Sequence, residues 1–461
     1  QVRAGPASPA GVHQGSTLFH RSDLKPGQTM EGPALVLEPH SVTVVDAGWD
    51  GFVHPCGALV LEHRNGTDRR EEDHESVRLE LFTHRFETMA REMGEQLRRT
   101  AVSTNIKERL DFSCALLDPD GELLVNAPHI PVHLGALGMC VRSVLQSMTV
   151  NPGDVIVTNH PGYGGSHLPD VTVITPVHAG SLVGYVANRA HHAELGGARP
   201  GSMPPAASCL AEEGVVIPPT KLVEGGEPRW EVMEALLSGG RFPSRSVQDN
   251  LADLRAAVAA NRAGALALTS LVERAGRETV QHYMQELKRL ASRRIRAALA
   301  ALADGRYQAL ERLDDGTELA VRITLNGDQA VLDFTGSGKV HPGNLNATPA
   351  IVHGAVIYFL RLLIRESIPL NEGFLHPVKL VIPTGILNPE FHQDPERSPA
   401  VVGGNVETSQ RLVDTLIKAL GIAACSQGTM NNVLFGTGRF GYYETVCGGA
   451  GAGPGFHGAS A

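Results

Sequence analysis

The sequence has 461 residues, of which 42% are apolar and 19% charged, and its formal net charge is −9. A chain of this length is expected to form two or three domains, and its composition is typical of a soluble globular protein. The acidic balance argues against a nucleic-acid partner, and no apolar run approaches the roughly 20 residues that a membrane helix needs. Six scattered cysteines without a CxxC spacing predict reduced thiols in a cytoplasmic protein.

Residues 1–63 are predicted to form a small all-β piece. Short apolar and β-branched runs, separated by Pro, Gly and Asp turns, predict strands at residues 32–37, 41–45 and 58–61. A unit of this size buries little surface alone, so it is expected to pack against another body. The charged run that follows, residues 64–75, is interpreted as a solvated linker.

The rest of the chain, residues 76–461, mixes helical and strand patterns. Apolar side chains recur at three- and four-residue steps between residues 79 and 97, which predicts an amphipathic helix. Further helices are predicted in residues 248–303, 350–363 and 412–420, and hairpins are predicted at 114–125 and 319–334. The predicted fold class is therefore α/β (α+β), with several layers of mixed sheets and long helices beside the small N-terminal all-β piece.

The most informative segment is residues 158–197, TNHPGYGGSHLPDVTVITPVHAGSLVGYVANRAHHAELGG. It predicts a strand at 171–177 preceded by His167 and Asp170, and a partner strand at 182–187 followed by His191, His192 and Glu194. A hairpin would bring these imidazoles and carboxylates to one end of a sheet, where they could bind a divalent cation. The alternative is a strand end whose histidines pack under a loop.

Other segments also contain candidate site residues. His129 and His133 lie in the proline-bearing loop NAPHIPVHLG, where they could line a pocket or bond to the backbone. Gly403, Gly404 and Asn405 precede a predicted helix and could present N–H groups to an anionic part of a substrate. No GxxxxGK[ST] motif occurs, so the sequence predicts no P-loop nucleotide site.

Several ordered motifs carry a family resemblance. SxNIKERLDFS, NAPHIPVHLG, GGSHLPDVTVITPV, RAHHAELGG, PGSMPP, EEGVVIPPTKLV, VVGGNVETSQR and SQGTMNN resemble the hydantoinase B/5-oxoprolinase family from about residue 76 to the C-terminus. Residues 1–63 resemble the C-terminal tail of the partner family, hydantoinase A. This order resembles a fused 5-oxoprolinase, so the chain is interpreted as part of a longer protein that lacks most of the hydantoinase A half and is incomplete at its C-terminus.

The resemblance implies an ATP-dependent cyclic amidohydrolase. ATP would be bound by the hydantoinase A half, and the hydantoinase B half would complete the opening of 5-oxoproline or a hydantoin-like lactam by water. The implied metal ligands are His167, Asp170 and either His191 or His192. Manganese or zinc is expected, with magnesium as a further option. Glu194 stands where relatives often have Asp, and it is a candidate base or second-layer residue, as are His129 and His133.

Two alternative functions are compatible with the same resemblance. The chain could be a subunit of an ATP-dependent acetone- or acetophenone-type carboxylase, or a non-catalytic assembly scaffold. The hydantoinase A half and a small lactam are the expected partners, and a homo-oligomer is expected. Replacing His167 or Asp170 by Ala is expected to leave the fold intact, because both are predicted to lie in loops.

Overall fold

The computed structural model describes residues 17–64, 71–126, 130, 133, 135–366, 368–437 and 440–460. The chain divides into two compact units, Gln1–Arg78 and Leu79–Ala461. Among the described residues, no helix combines the length and apolar character needed to cross a bilayer.

The N-terminal unit contains six short strands. They are β1 (Thr17–His20), β2 (Thr29–Glu31), β3 (Ala34–Leu37), β4 (Val42–Val45), β5 (Trp49–Val53) and β6 (Leu59–His63). Two three-stranded sheets result, ordered β1-β3-β4 and β2-β5-β6. Leu24, Met30, Val36 and Val53 belong to their small shared core. The sequence predicted only β3, β4 and β6, since the other three strands are short or interrupted by polar residues and glycine.

The helices of the described residues are α1 (Glu71–Thr100), α2 (Thr104–Lys107), α3 (Ala136–Ser147), α4 (Leu210–Glu213), α5 (Trp230–Ser238), α6 (Val247–Ala275), α7 (Arg277–Ala300), α8 (Pro349–Leu362) and α9 (Ser409–Leu420). The amphipathic pattern predicted for α1 is confirmed, because Phe82, Phe86, Met93 and Leu97 are buried. The predicted linker ends earlier than expected, since the chain is helical from Glu71.

A single glycine divides the predicted 248–303 helix into α6 and α7. Gly276 has φ +82°, in the left-handed region that an L side chain rarely adopts, and its N–H donates to the Val272 carbonyl. The glycine therefore ends α6, and α7 begins at the next residue.

The larger unit is built on a seven-stranded antiparallel sheet. Its strands are β7 (Phe112–Leu117), β8 (Leu123–Asn126), β9 (Val155–Thr158), β10 (Asp170–Ala179), β11 (Ser181–His191), β12 (Thr220–Glu224) and β13 (Glu227–Pro228), in the order β13-β12-β9-β10-β11-β7-β8. The predicted β10–β11 hairpin is confirmed. Helix α6 packs against both of these strands, and α3 contacts β11.

A second, mixed sheet lies later in the chain. It contains β14 (Gly305–Arg312), β15 (Glu318–Asn326), β16 (Gln329–Asp333) and β17 (Val378–Val381), and β16 pairs with β17 in parallel. Strands β18 (Asn431–Thr437) and β19 (Phe440–Val446) form a separate two-stranded sheet. Helices and mixed sheets in several layers confirm the predicted fold class.

Candidate metal centre

The β10–β11 hairpin brings three candidate ligands together. Asp170 is the first residue of β10 and pairs directly with His191, the last residue of β11. His167 lies in the turn just before β10, and its carbonyl accepts the Asp170 N–H at 3.1 Å. Ligands that are separated in the sequence therefore lie close together at one end of the sheet.

The donor atoms form a nearly equilateral triangle. His167 Nε2 lies 3.2 Å from His191 Nδ1 and 3.4 Å from Asp170 Oδ1, and His191 Nδ1 lies 3.4 Å from the same oxygen. Ligands about 2.1 Å from a common ion stand about 3.0–3.4 Å apart in octahedral or tetrahedral geometry. Two imidazoles and one carboxylate at these separations fit a divalent cation such as manganese or zinc.

A second set of side chains holds the Asp170 carboxylate. Its Oδ2 accepts a hydrogen bond from the Ser166 hydroxyl and lies 3.2 Å from His133 Nε2. The other His133 nitrogen lies 3.0 Å from the Ser113 hydroxyl oxygen. Burial alone would raise the pKa of Asp170, but the charges of His167 and His133 outweigh burial and hold that pKa well below its usual range.

The geometry distinguishes between the two adjacent histidines. His191 belongs to the triangle. The side chain of His192 is buried outside the triangle, and its Nδ1 lies 3.2 Å from the Asn250 amide nitrogen. Burial lowers the pKa of His192 to about 4, so its imidazole is neutral at physiological pH. His192 is a packing residue here, and His191 is the candidate ligand.

The side chain of Glu194 binds to the loop that follows it and to an arginine. Its carboxylate accepts the backbone N–H groups of Gly196 and Gly201 at 2.6 and 2.8 Å and pairs with Arg245 at 2.8 Å. It does not line the cavity described below. The structure therefore gives Glu194 a role in holding the 194–201 loop, away from the ligand triangle. His129, the other predicted candidate, lies outside the described residues.

The triangle lies in the wall of a cavity of about 650 Å³. Helices α8 and α9 contribute mostly apolar side chains to its lining, and Asn105, Arg109 and Asp111 contribute polar ones. The Asp111 carboxylate lies 3.7 Å from His191 Nδ1, and its backbone carbonyl accepts the His191 N–H at 3.0 Å. Asp111 is thus the nearest described acid to the triangle beyond Asp170 itself.

Sequence reasoning gave no role to Arg109 or Asp111. Both belong to the SxNIKERLDFS motif. Their polar side chains directly before a buried strand are the feature of the sequence that could have indicated a site. What the sequence did not indicate is the contact between the end of that motif and the end of β11, 80 residues later. Leu110, between them, has φ +55°, an uncommon conformation for a non-glycine residue.

The structure agrees with only part of the binding role predicted for Gly403, Gly404 and Asn405. The N–H groups of Gly403 and Gly404 both donate to the Asn344 carbonyl, at 2.9 and 3.0 Å, so they are not available to an anion. Asn405 does line the cavity. Its Oδ1 is buried and has no hydrogen-bond partner among the described residues. The side chain of Asn405, rather than the glycine backbone, is the part of this loop that can contact a ligand.

Glu213 anchors the segment that leads into this loop. Its buried Oε1 accepts the N–H groups of Val401 and Val402, both at 2.8 Å. Acidic side chains are usually solvated, but Glu213, the last residue of α4, is fully buried, whereas its neighbour Glu212 is partly accessible. Burial raises the pKa of Glu213 to about 8 despite the two backbone N–H donors.

This pKa predicts a pH-dependent stability. The folded chain keeps the Glu213 proton up to about pH 8, whereas the ordinary value is 4.5, so between these values the folded state binds more protons than the unfolded state. Stability contributed by Glu213 therefore falls as the pH rises through this window. The free energy of unfolding, measured with urea, should decrease less between these pH values in Glu213→Gln than in the wild type, because the contribution of Glu213 is gone. Glu212→Gln is the matched control and should retain it; equal pH profiles for wild type and Glu213→Gln would contradict the assignment.

Together, the fold and the site define a mixed α/β protein with a two-histidine, one-carboxylate cluster in the wall of a cavity. The model of the hydantoinase B/oxoprolinase family matches residues 75–461. The chain belongs to this family.

Relatives with assigned names extend the comparison. The chain is 44% identical to 5-oxoprolinase 1 of Arabidopsis thaliana, over 96% of the chain and 37% of that protein. It is 40% identical to 5-oxoprolinase of Saccharomyces cerevisiae, over 95% of the chain and 36% of that protein. The chain thus spans little more than a third of the length of these relatives.

Two solved structures share the fold. The ATP-dependent caprolactamase of Pseudomonas jessenii superimposes with a TM-score of 0.74 at 28% identity, covering 86% of this chain and 70% of that one. A nucleotide-free acetone carboxylase superimposes with a TM-score of 0.66 at 18% identity, covering 77% of this chain and 49% of that one.

Proposed function

We propose that this chain is the ring-opening part of an ATP-dependent hydrolase that converts 5-oxoproline to glutamate. The observation that carries the proposal is the triangle of His167, Asp170 and His191 in the wall of a cavity. The names of the relatives at 44% and 40% identity support 5-oxoproline as the substrate. ATP would be bound by a further hydantoinase A-type part of the protein, and the compartment would be the cytoplasm.

The residues around the triangle have separate tasks in this proposal. A divalent cation held by His167, Asp170 and His191 would supply Lewis acidity toward a carbonyl or phosphorylated oxygen. His133 and Ser166 fix the Asp170 carboxylate through its Oδ2, leaving Oδ1 directed at both ligand imidazoles. Such outer contacts keep a ligand in one orientation.

The cavity provides further groups suited to a cyclic amide. Asn405 lines the cavity, so its side chain can contact the amide of a lactam ring. The apolar side chains of α8 and α9, including Ile351 and Val413, provide a surface for the ring methylenes and reduce the access of bulk water. A side chain that takes a proton from the attacking water is also required.

Asp111 is the residue that we assign to this proton transfer. It lines the cavity, its side chain is 31% exposed, and it lies 3.7 Å from His191. Asp111→Asn should preserve the bound metal but reduce ring opening by about 100-fold or more, the usual contribution of a general base. Metal content and glutamate formation would be measured on the same preparation. Loss of metal with Asp111→Asn would instead make Asp111 a ligand.

The reaction itself is tested on the longer protein that contains both parts. We expect 5-oxoproline to stimulate phosphate release from ATP and to yield glutamate. Bicarbonate-dependent consumption of acetone or acetophenone without glutamate formation would contradict the proposal and favour a carboxylase. A protein that binds no metal and does neither reaction would favour an assembly role.

A further inference from the structure

Arg189 is a fully buried cation on β11, the strand that ends at the candidate ligand His191. Among the described residues, no carboxylate forms an ion pair with its guanidinium, and its Nη1 has no hydrogen-bond partner. Taking such a charge out of water is costly unless it is paired, so stability alone would favour an apolar side chain here. The presence of an arginine at this position therefore calls for another reason.

Two hydrogen bonds join Arg189 to neighbouring segments. Its Nε donates to the Thr172 hydroxyl at 2.8 Å, and its Nη2 donates to the Gly164 carbonyl at 2.9 Å. Thr172 pairs with Arg189 across the hairpin, two residues after Asp170. Alternate residues of a strand share a face, so Arg189 and His191 lie on one face of the sheet, about 7 Å apart along β11.

The loop that contains Gly164, residues 161–166, lies between the sheet and two helices. Gly164 has φ +82°, and a Cβ at this position would lie 2.7 Å from the Cys140 backbone, so the loop packs directly on α3. The next carbonyl, that of Gly165, accepts the Thr348 hydroxyl at 3.0 Å, and Thr348 is the N-cap residue of α8. Arg189 is thus the contact that fixes this loop to the sheet from the side of β11.

The last residue of the loop, Ser166, contacts the ligand triangle directly. Its hydroxyl donates to Oδ2 of Asp170, whose Oδ1 lies 3.4 Å from both ligand imidazoles. Ser166 follows Gly164 by only two residues. The carbonyl that Arg189 holds therefore determines where the Ser166 hydroxyl lies relative to the ligand carboxylate.

We propose that Arg189 is a positioning residue of the metal centre, which holds the 161–166 loop so that Ser166 keeps the Asp170 carboxylate turned toward the ligand imidazoles. The inference rests on the metal site of the proposed function. It also predicts the sign of the effect. A positive charge near a metal site repels the cation, so removing charge alone would tighten metal binding, whereas losing the outer contact of a ligand weakens it.

The affinity of the chain for Mn²⁺ tests this inference without requiring turnover. Free Mn²⁺ would be titrated through its electron paramagnetic resonance signal. We expect Arg189→Met to weaken Mn²⁺ binding about 10-fold, in the range known for residues that orient metal ligands. Arg189→Lys keeps the charge without the planar two-donor geometry, so it should weaken binding by a smaller factor, whereas a pure charge effect would leave it like the wild type.

Ser166→Ala tests the route through which Arg189 acts. This variant should weaken Mn²⁺ binding about 10-fold or more, because the Asp170 carboxylate loses an outer contact. Adding Arg189→Met to it should cost less than about 2-fold further, since the contact that Arg189 positions is already gone. Losses that multiply in the double variant would show that Arg189 does not act through Ser166 and would overturn the proposal.

Lys288→Met is the matched control. It also replaces a buried cation by Met, but Lys288 bonds Asp118 at the β7–β8 turn. This variant should have a lower thermal midpoint yet bind Mn²⁺ within about 2-fold of the wild type, because distant sites act independently. Every titration is made below the thermal midpoint of its variant. If Arg189→Met does not fold, Arg189→Lys combined with Ser166→Ala supplies the same comparison.

The contrary outcomes separate this inference from the proposed function. If Arg189→Met and Arg189→Lys bind Mn²⁺ like the wild type or more tightly, the positioning role is refuted while the metal site stands. If Lys288→Met weakens Mn²⁺ binding as much as Arg189→Met does, the loss reflects lower stability and the role is likewise refuted. If the wild-type chain binds no Mn²⁺, the metal site of the proposed function is refuted, and this inference with it.

Discussion

Asp170→Asn should remove the metal and reduce ring opening by about 1,000-fold or more, since a cation at such a site contributes several kcal/mol. The substitution keeps the size of the side chain but replaces a charged carboxylate with a neutral amide. One oxygen of Asp170 lies 3.4 Å from both His167 Nε2 and His191 Nδ1, so the variant loses the anionic member of the triangle. Metal content by elemental analysis and glutamate formation in the longer protein are the measurements.

The choice of Asn follows from a correction to the sequence-based expectation. Asp170 was predicted to lie in a loop, where Ala would be harmless, but it begins β10 and is only 1% exposed. Ala would leave the Ser166 hydroxyl and the His133 imidazole without this partner, at about 1–3 kcal/mol for each buried polar group. Asn retains hydrogen-bonding capacity toward both, so the fold is preserved while the charge is removed.

Asp328→Asn provides the control for this experiment. Asp328 pairs with Arg296 at 2.9 Å in the β15–β16 turn and is 48% exposed. This variant should keep metal and turnover. Full metal content and full turnover in Asp170→Asn would refute the site. Lost metal with unchanged turnover would make the cation structural and move the chemistry elsewhere, with the Gly403-Gly404-Asn405 loop as the first place to search.

Lys288→Met should cause the largest loss of stability, about 3–5 kcal/mol, because it breaks a buried ion pair from one side. The ammonium of Lys288 bonds the carboxylates of Asp118 and Glu122, and both Lys288 and Asp118 are buried. Asp118 also accepts the Asp120 and Glu122 N–H groups, at 3.0 and 2.9 Å. The lysine on α7 thus fixes the β7–β8 turn, and without it two acids are left beside each other.

The loss should appear as a lower urea midpoint with little change in slope. Arg289→Gln, on the next residue of α7, removes an exposed pair and should cost less than about 1 kcal/mol. The double variant Lys288→Met/Asp118→Asn should recover part of the stability, since it removes both buried charges while the Asn oxygen can still accept the Asp120 and Glu122 N–H groups. A Lys288→Met protein as stable as Arg289→Gln would show that the buried pair contributes little.

Local sequence patterns predict the structural features that depend on residues close together in the chain. The stripe of α1 and the β10–β11 hairpin follow from apolar periodicity, and the hairpin alone places His167 and Asp170 near the end of β11. Sequence could not choose between His191 and His192, because adjacent strand residues point to opposite faces and both faces of this sheet are covered. The register pairing Asp170 with His191 supplies the answer.

Contacts between distant segments account for what the sequence did not predict. The Gly403 and Gly404 N–H groups looked available, but the Asn344 carbonyl, from another segment, occupies both. Asp111 lies at the site beside His191, whose N–H its backbone carbonyl accepts. Likewise, nothing local indicates that Lys288 meets Asp118, 170 residues earlier in the chain. These contacts are set by the packing of whole elements.

We propose above all that one divalent cation binds between His167, Asp170 and His191. Anomalous diffraction from crystals of the manganese-loaded chain, recorded on both sides of the manganese absorption edge, tests it most directly. We expect one strong peak about 2.1 Å from His167 Nε2, Asp170 Oδ1 and His191 Nδ1. A protein that crystallises with manganese but shows no peak at this triangle, or shows its peak at His192 or another site, would contradict the account.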